Sequence, residues 1–185
     1  MGSIKVHEFI TLDGVIGAPL WTLDYEFTAE MAESIGPLMA DSKAILLGRT
    51  TYEEFAPAWS GRTAEDDPGA PFMNEAPKYV VSATLEKADW NNSTVLGGYD
   101  ADTIRKLKTD VDGPIYVSGS GTLVRAMLAD GLVDELHLVV HPVVVGSGPR
   151  LFPEGTPAAT MSLAHSRAFD NGVLHLTYTP GAPSA

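Results

Sequence analysis

The sequence predicts an α/β sandwich with a mostly parallel central sheet and an antiparallel C-terminal edge. Three observations carry this reading. Short apolar runs alternate with amphipathic helical patterns as far as residue 130. Beyond that point strand patterns follow one another with no helix between them. Glycine stands where two of the apolar runs give way to helical patterns. Strands joined through a helix return parallel, whereas consecutive strands pair antiparallel, so this order fixes the class. With 185 residues and no internal repeat or linker, one domain is expected over 1–180, with a frayed tail at 181–185.

The elements follow in order. Ile4–Ile10 alternates apolar and polar residues, as a half-buried strand does. Thr28 is placed to cap a helix in which Met31, Ile35, Leu38 and Met39 share one face. Ala44–Gly48 is wholly apolar, the mark of a strand covered on both faces. A helix follows, capped by Thr50 or Thr51 with Glu53 or Glu54 behind. Residues 60–77 hold prolines, glycines and acids and read as an exposed loop. Strands are expected at Lys78–Ala83 and in "STVLG", then a helix capped by Asp100 or Asp102. "PIYVSG" is a buried strand, and "GTLVRAMLADG" a helix closed by Gly131. Asp134–Gly146 reads as a long strand broken at Pro142, and a hairpin turned at Asp170-Asn171-Gly172 closes the fold.

Composition excludes several classes. There is no cysteine, hence no disulfide, thiolate zinc site or cysteine nucleophile. The formal net charge of −12, without a Lys/Arg cluster, argues against nucleic acid and anionic membranes as partners. No apolar run is long enough to span a membrane and no charged-then-apolar leader is visible, so a cytoplasmic location is expected.

The chemistry concentrates at two strand-to-helix junctions, Leu46–Glu53 and Val117–Val124. Each places glycine at a strand end and hydroxyl residues at a helix start, where free N–H groups and the helix dipole suit a phosphate. Arg49 adds a planar charged fork. The second junction is not a dinucleotide fingerprint of the Rossmann type, because Val124 occupies the third glycine position. "HLVVH" lacks the glutamate of a zinc helix and lies in a β-branched run, so its histidines are expected on a solvated sheet face and no metal site is predicted. Asp13, Asp24 and Glu26 are the candidate acids. A carboxyl among Trp21, Tyr25 and Phe27 would be desolvated and suited to proton delivery, while Asp13 alternatively caps the turn before Gly14.

Taken together, "TLDGVIG", "LLGRTTYE", "VVSAT" and "YVSGSGTLVRAMLADGLVDELHLVVHPVVVGSG" resemble, in this order, the dihydrofolate reductase superfamily. The nearest branch is similar to the reductase domain of bacterial bifunctional deaminase-reductases of riboflavin synthesis, in stand-alone form. The resemblance implies a dihydrofolate reductase-like three-layer sandwich, NADPH as cofactor, and hydride transfer to a pyrimidine- or pterin-like heterocycle. Gly48, Arg49, Thr50 and Thr51 would bind the cofactor's phosphates, with Arg49, Thr50 and Ser82 supplying charge and donors for the 2′-phosphate. Gly119, Ser120, Gly121 and Thr122 would hold its pyrophosphate with Leu123 packing nearby, and Ile16 and Gly17 would flank the nicotinamide. A homodimer in which "LHLVVHPVVV" pairs or packs between subunits is also implied. Two departures bear on substrate: Ser118 stands where riboflavin-pathway reductases tend to carry Glu, and Glu26 matches the acid of folate reductases. Folate reduction, or a non-catalytic dimeric NADPH-sensing role, are the alternatives.

Overall fold

The computed structural model describes residues 2–17 and 19–181; of the expected tail only Gly181 falls within them. Eight strands, β1 (Ile4–Thr11), β2 (Ala44–Gly48), β3 (Lys78–Val81), β4 (Ser93–Gly97), β5 (Ile115–Val117), β6 (Glu135–His141), β7 (Met161–Ala168) and β8 (Leu174–Pro180), form one sheet in the order β4-β3-β2-β5-β1-β6-β8-β7. The pairs from β4 to β6 are parallel, and β8 and β7 are antiparallel at the edge. Five helices, α1 (Ala29–Ala40), α2 (Arg49–Trp59), α3 (Ala70–Glu75), α4 (Ala101–Asp110) and α5 (Gly121–Ala129), cover the two faces. Among the described residues no helix is long and apolar enough to cross a membrane.

Two apolar clusters sandwich the sheet. Ile4, Val6, Leu46, Val117 and Leu136 pack under α4 and α5, while Ile45, Leu47, Tyr116 and Val139 pack with Met31 and Ile35 of α1 and Met73 of α3. Successive strand residues point to opposite faces, which sorts them this way. Gly131, left-handed at φ 65°, closes α5 as the sequence predicts.

Several local expectations are corrected. β1 is central and almost wholly buried, not half-buried, because helices lie on both of its faces. The N-cap of α2 is Gly48, not Thr50 or Thr51. Residues 60–77 contain α3, anchored by buried Ala70 and Met73 and by Asn74, which bonds the Trp59 and Arg62 carbonyls and accepts from Trp90 Nε1. β6 stops at His141, since Pro142 cannot donate to the ladder. It lies between β1 and β8 rather than at an edge, so its backbone is not available to pair with another subunit.

The two histidines of "HLVVH", His137 and His141, are not on a solvated face. His7, His137, His141 and His175 are buried. His137 Nδ1 lies 3.1 Å from both His175 Nε2 and Thr177 Oγ1, and its Nε2 lies 2.8 Å from Glu135. His175 Nδ1 reaches Ser34 of α1 at 2.8 Å, and His7 Nδ1 reaches the Tyr116 hydroxyl at 2.9 Å. Helix α1 covers the face that period-2 reading alone leaves open.

Candidate functional site

β2 and β5 are parallel neighbours, so their C-terminal ends lie side by side and the two glycine junctions converge. The Gly48 N–H points to the Gly119 carbonyl at 3.5 Å. A β-carbon on Gly48 would overlap the Ser120 hydroxyl, and one on Gly121 would come within 2.5 Å of Ile16 Cδ1. At Gly119, whose φ of 77° favours glycine, a β-carbon would lie 2.9 Å from Thr51 Oγ1. The loop after β1 and both junctions thus meet at one point, with room for backbone alone.

The helix starts differ in a telling way. Thr28 and Asp100 accept bonds from the first-turn amides Met31 N and Thr103 N, capping α1 and α4. Gly48 and Ser120, which begin α2 and α5, provide no side-chain cap. First-turn amides left without an intrahelical partner need another acceptor, and an anion is a suitable one. Both long helices that lack a cap start here.

The remaining residues singled out from the sequence lie around this point. Arg49 opens α2, half exposed, 3.7 Å from Glu53 one turn on. Thr50 is exposed and Thr51 buried. Ser82, just past β3, is buried, and its Oγ accepts from Thr84 N and Leu85 N at 3.2 and 2.9 Å. Gly17 lies against the Pro149 ring. Thr122 Oγ1 accepts from Arg125 at 3.1 Å, and Leu123 is core.

The three candidate acids have separate fates. Asp13 accepts from Thr11 Oγ1 at 2.7 Å, from Gly146 N at 2.9 Å and from Val145 N at 3.3 Å, and lies 3.5 Å from the Arg150 guanidinium. The Thr11 hydroxyl, with the two amides, holds its carboxyl below the ordinary range, so Asp13 is an ionised brace between the loop after β1 and residues 145–150. Asp24 and Glu26 are exposed, contrary to the expected burial among aromatic rings. Asp24 ends a short 3-10 helix over Leu20–Asp24 and Tyr25 is extended; of these three residues it is the Tyr25 ring that packs on His141, while Asp24 and Glu26 face solvent.

Two groups that sequence reasoning missed occupy the interior. Glu8 shares the β1 face with Val6 and Ile10, and its Oε1 is buried without a partner, 3.8 Å from where a β-carbon on Gly119 would sit. Burial pushes its carboxyl up to about 8, against the opposing charge of Arg125. The signal was legible: an acid at an inward position of Ile4, Val6, Glu8, Ile10. His141, at the end of β6, is caged edge-on by Trp21, Tyr25 and Phe9, with ring centroids 5.0, 5.2 and 5.7 Å away. Its Nδ1 lies 3.1 Å from the Val139 carbonyl, which can only accept, so Nδ1 carries the proton. Burial lowers the imidazole pKa, keeping the ring neutral and leaving Nε2 an acceptor. His141 lines a cavity of about 300 Å³ with Phe9, Thr22, Tyr25, Phe27 and Met31. The indole N–H of Trp21, beside it, is buried without a partner. Another cavity of about 320 Å³, between α2 and residues 87–90, contains none of these groups.

Comparison with known proteins adds the family. The sequence profile of the RibD C-terminal domain matches residues 3–175. The uncharacterized Bacillus subtilis protein YyaP is 32% identical over 101 residues, which are 55% of this chain and 53% of YyaP; the match spans about half of that relative. A Shewanella sp. PV-4 structure described as a riboflavin biosynthesis protein superposes with a TM-score of 0.80 at 19% identity, over 97% of this chain and 99% of that one. The Thermotoga maritima diaminohydroxyphosphoribosylaminopyrimidine deaminase/5-amino-6-(5-phosphoribosylamino)uracil reductase gives 0.68 at 14% identity, over 97% of this chain and 57% of that one. At these identities the two structures speak for the shared fold.

Proposed function

Because the chain belongs to the RibD C-terminal domain family, a family of reductase domains, we propose that it is an NADPH-dependent reductase acting on a pyrimidine- or pterin-like ring. One observation carries the reading: the two uncapped helix starts meet, with the Ser120 hydroxyl against Gly48 and Ile16 against Gly121. Such a cradle of free amides and bare glycines fits the pyrophosphate of a dinucleotide.

In this reading the backbone of Gly119, Ser120, Gly121 and Thr122 binds the pyrophosphate. Gly48, Thr51 and the first turn of α2 form the opposite wall. Arg49, with Thr50 and Ser82, faces the 2′-phosphate and gives the preference for NADPH over NADH. Ile16 and Gly17 cover the nicotinamide and exclude water, while Leu123 supports the loop from the core. The bound cofactor would supply the hydride, and the protein would supply alignment. Asp13, Asp24 and Glu26 remain the proposed acids from the sequence, of which Asp13 is occupied as a brace and Glu26 is exposed. That exposure weighs against folate reduction, which would need an acid held in the cleft.

Titration with NADPH and NADH tests the reading. Micromolar NADPH binding with weaker NADH binding is expected, and no NADPH binding would overturn it.

A further inference from the structure

We infer that the aromatic cage around His141 takes an uncharged planar ring presenting an N–H donor, and that a phosphate ester on that ring gains nothing there. The inference rests on the reductase reading, since it names the class of ring that would be reduced.

Three observations lead to it. First, the cavity of about 300 Å³ is walled by Phe9, Tyr25, Phe27 and Met31, surfaces suited to the face of a flat ring. Phe27 is 56% exposed and Leu23 80% exposed at its mouth, apolar area for a ligand to cover. Second, the polar atom offered by His141 is an acceptor. With Nδ1–H committed to the Val139 carbonyl, no described residue bonds Nε2. A lactam or imide N–H is the complementary group. Third, no Lys or Arg lines the cavity. The exposed residues between its lining ones are Asp24 and Glu26, and Glu30 lies in the first turn of α1. Arg167, packed beside α1, is committed to Glu30 at 3.6 Å and lies over the Phe169 ring. A phosphate dianion would meet carboxylates rather than a guanidinium.

Calorimetric titration of the full chain, without cofactor, tests this with two matched pairs. Lumazine and 1,3-dimethyllumazine differ in the N–H donors; riboflavin and flavin mononucleotide differ in the phosphate. Lumazine is expected to bind at least about tenfold tighter than its dimethyl form, and riboflavin at least as tightly as flavin mononucleotide. His141→Leu should erase the lumazine preference while leaving dimethyllumazine affinity within about twofold. Should that variant misfold, the wild-type pairs still decide. Equal binding of the two lumazines, tighter binding of flavin mononucleotide, or no binding of either unphosphorylated ring overturns the inference. NADPH binding alongside such a result leaves the reductase reading standing. Lumazine binding without NADPH binding overturns the reductase reading and keeps the ring class.

Discussion

The hydroxyl of Ser120 fills the space that a β-carbon on Gly48 would need. These two residues are 72 positions apart, yet they join the two helix starts at the ends of β2 and β5. Gly48→Ala should therefore push the Ser120 loop aside. The expected result is a loss of about 1–3 kcal/mol in denaturant unfolding and NADPH binding weakened by tenfold or more. Adding Ser120→Gly should recover most of the stability, because it removes the atom that collides.

Arg49 has no task in the core: it is half exposed and its partner Glu53 lies one helical turn away at 3.7 Å. Arg49→Ala should leave the melting temperature nearly unchanged, since exposed pairs contribute little. NADPH affinity should fall by about tenfold or more and NADH affinity by about twofold or less. Paired titrations give the ratio, and an unchanged ratio removes Arg49 from the 2′-phosphate site.

Glu8 is held protonated by burial, its carboxyl raised from 4.5 to about 8. The folded state therefore keeps a proton that the unfolded chain releases above pH 4.5, and stability falls as pH rises from about 4.5 to 8. Glu8→Gln removes this dependence and should stabilise the protein at pH 7 to 8 by on the order of 2 kcal/mol. The same substitution should flatten any loss of NADPH affinity as pH rises past 8, where an ionised Glu8 would face the phosphate cradle. Urea unfolding from pH 5 to 9 measures the first effect.

The histidine pair behaves in the opposite sense. His175 is lowered to about 4 by burial and by its neighbours His137 and His165, and His137 is lowered chiefly by burial. His7 is lowered to about 3 by burial. Unfolded chains protonate near 6.5, so the stability carried by neutral imidazoles is full above that pH and is lost as pH falls through 6.5 toward 4. A steep acid transition in that window is expected. His175→Gln, which retains a bonding partner for Ser34, should make it shallower.

Much of the fold was legible because local chemistry settles it. Thr28 and Asp100 cap the helices they precede, Gly131 closes α5, and Ala44–Gly48 could only be an interior strand. The glycine junctions were legible too, since a bare residue at a strand end before a helix serves few other purposes. The burial expected for Asp24 and Glu26 was not legible, because sequence proximity to aromatic residues says nothing about facing them: Asp24 ends a 3-10 helix and both carboxylates point to solvent.

The sequence by itself determined the order of the strands and of the four longer helices, though not α3, together with the two phosphate-suited junctions and the absence of cysteine chemistry. These rest on periodicity, caps and composition, which act over a few residues. Tertiary structure alone decided that Gly48 meets Ser120, that Glu8 lies 3.8 Å from the β-carbon position of Gly119, and that His141 joins Phe9, Trp21 and Tyr25 in one cage. Those relationships depend on the strand order β2-β5-β1-β6, which brings together residues distant in the chain, and on α1 covering a sheet face that alternation leaves open.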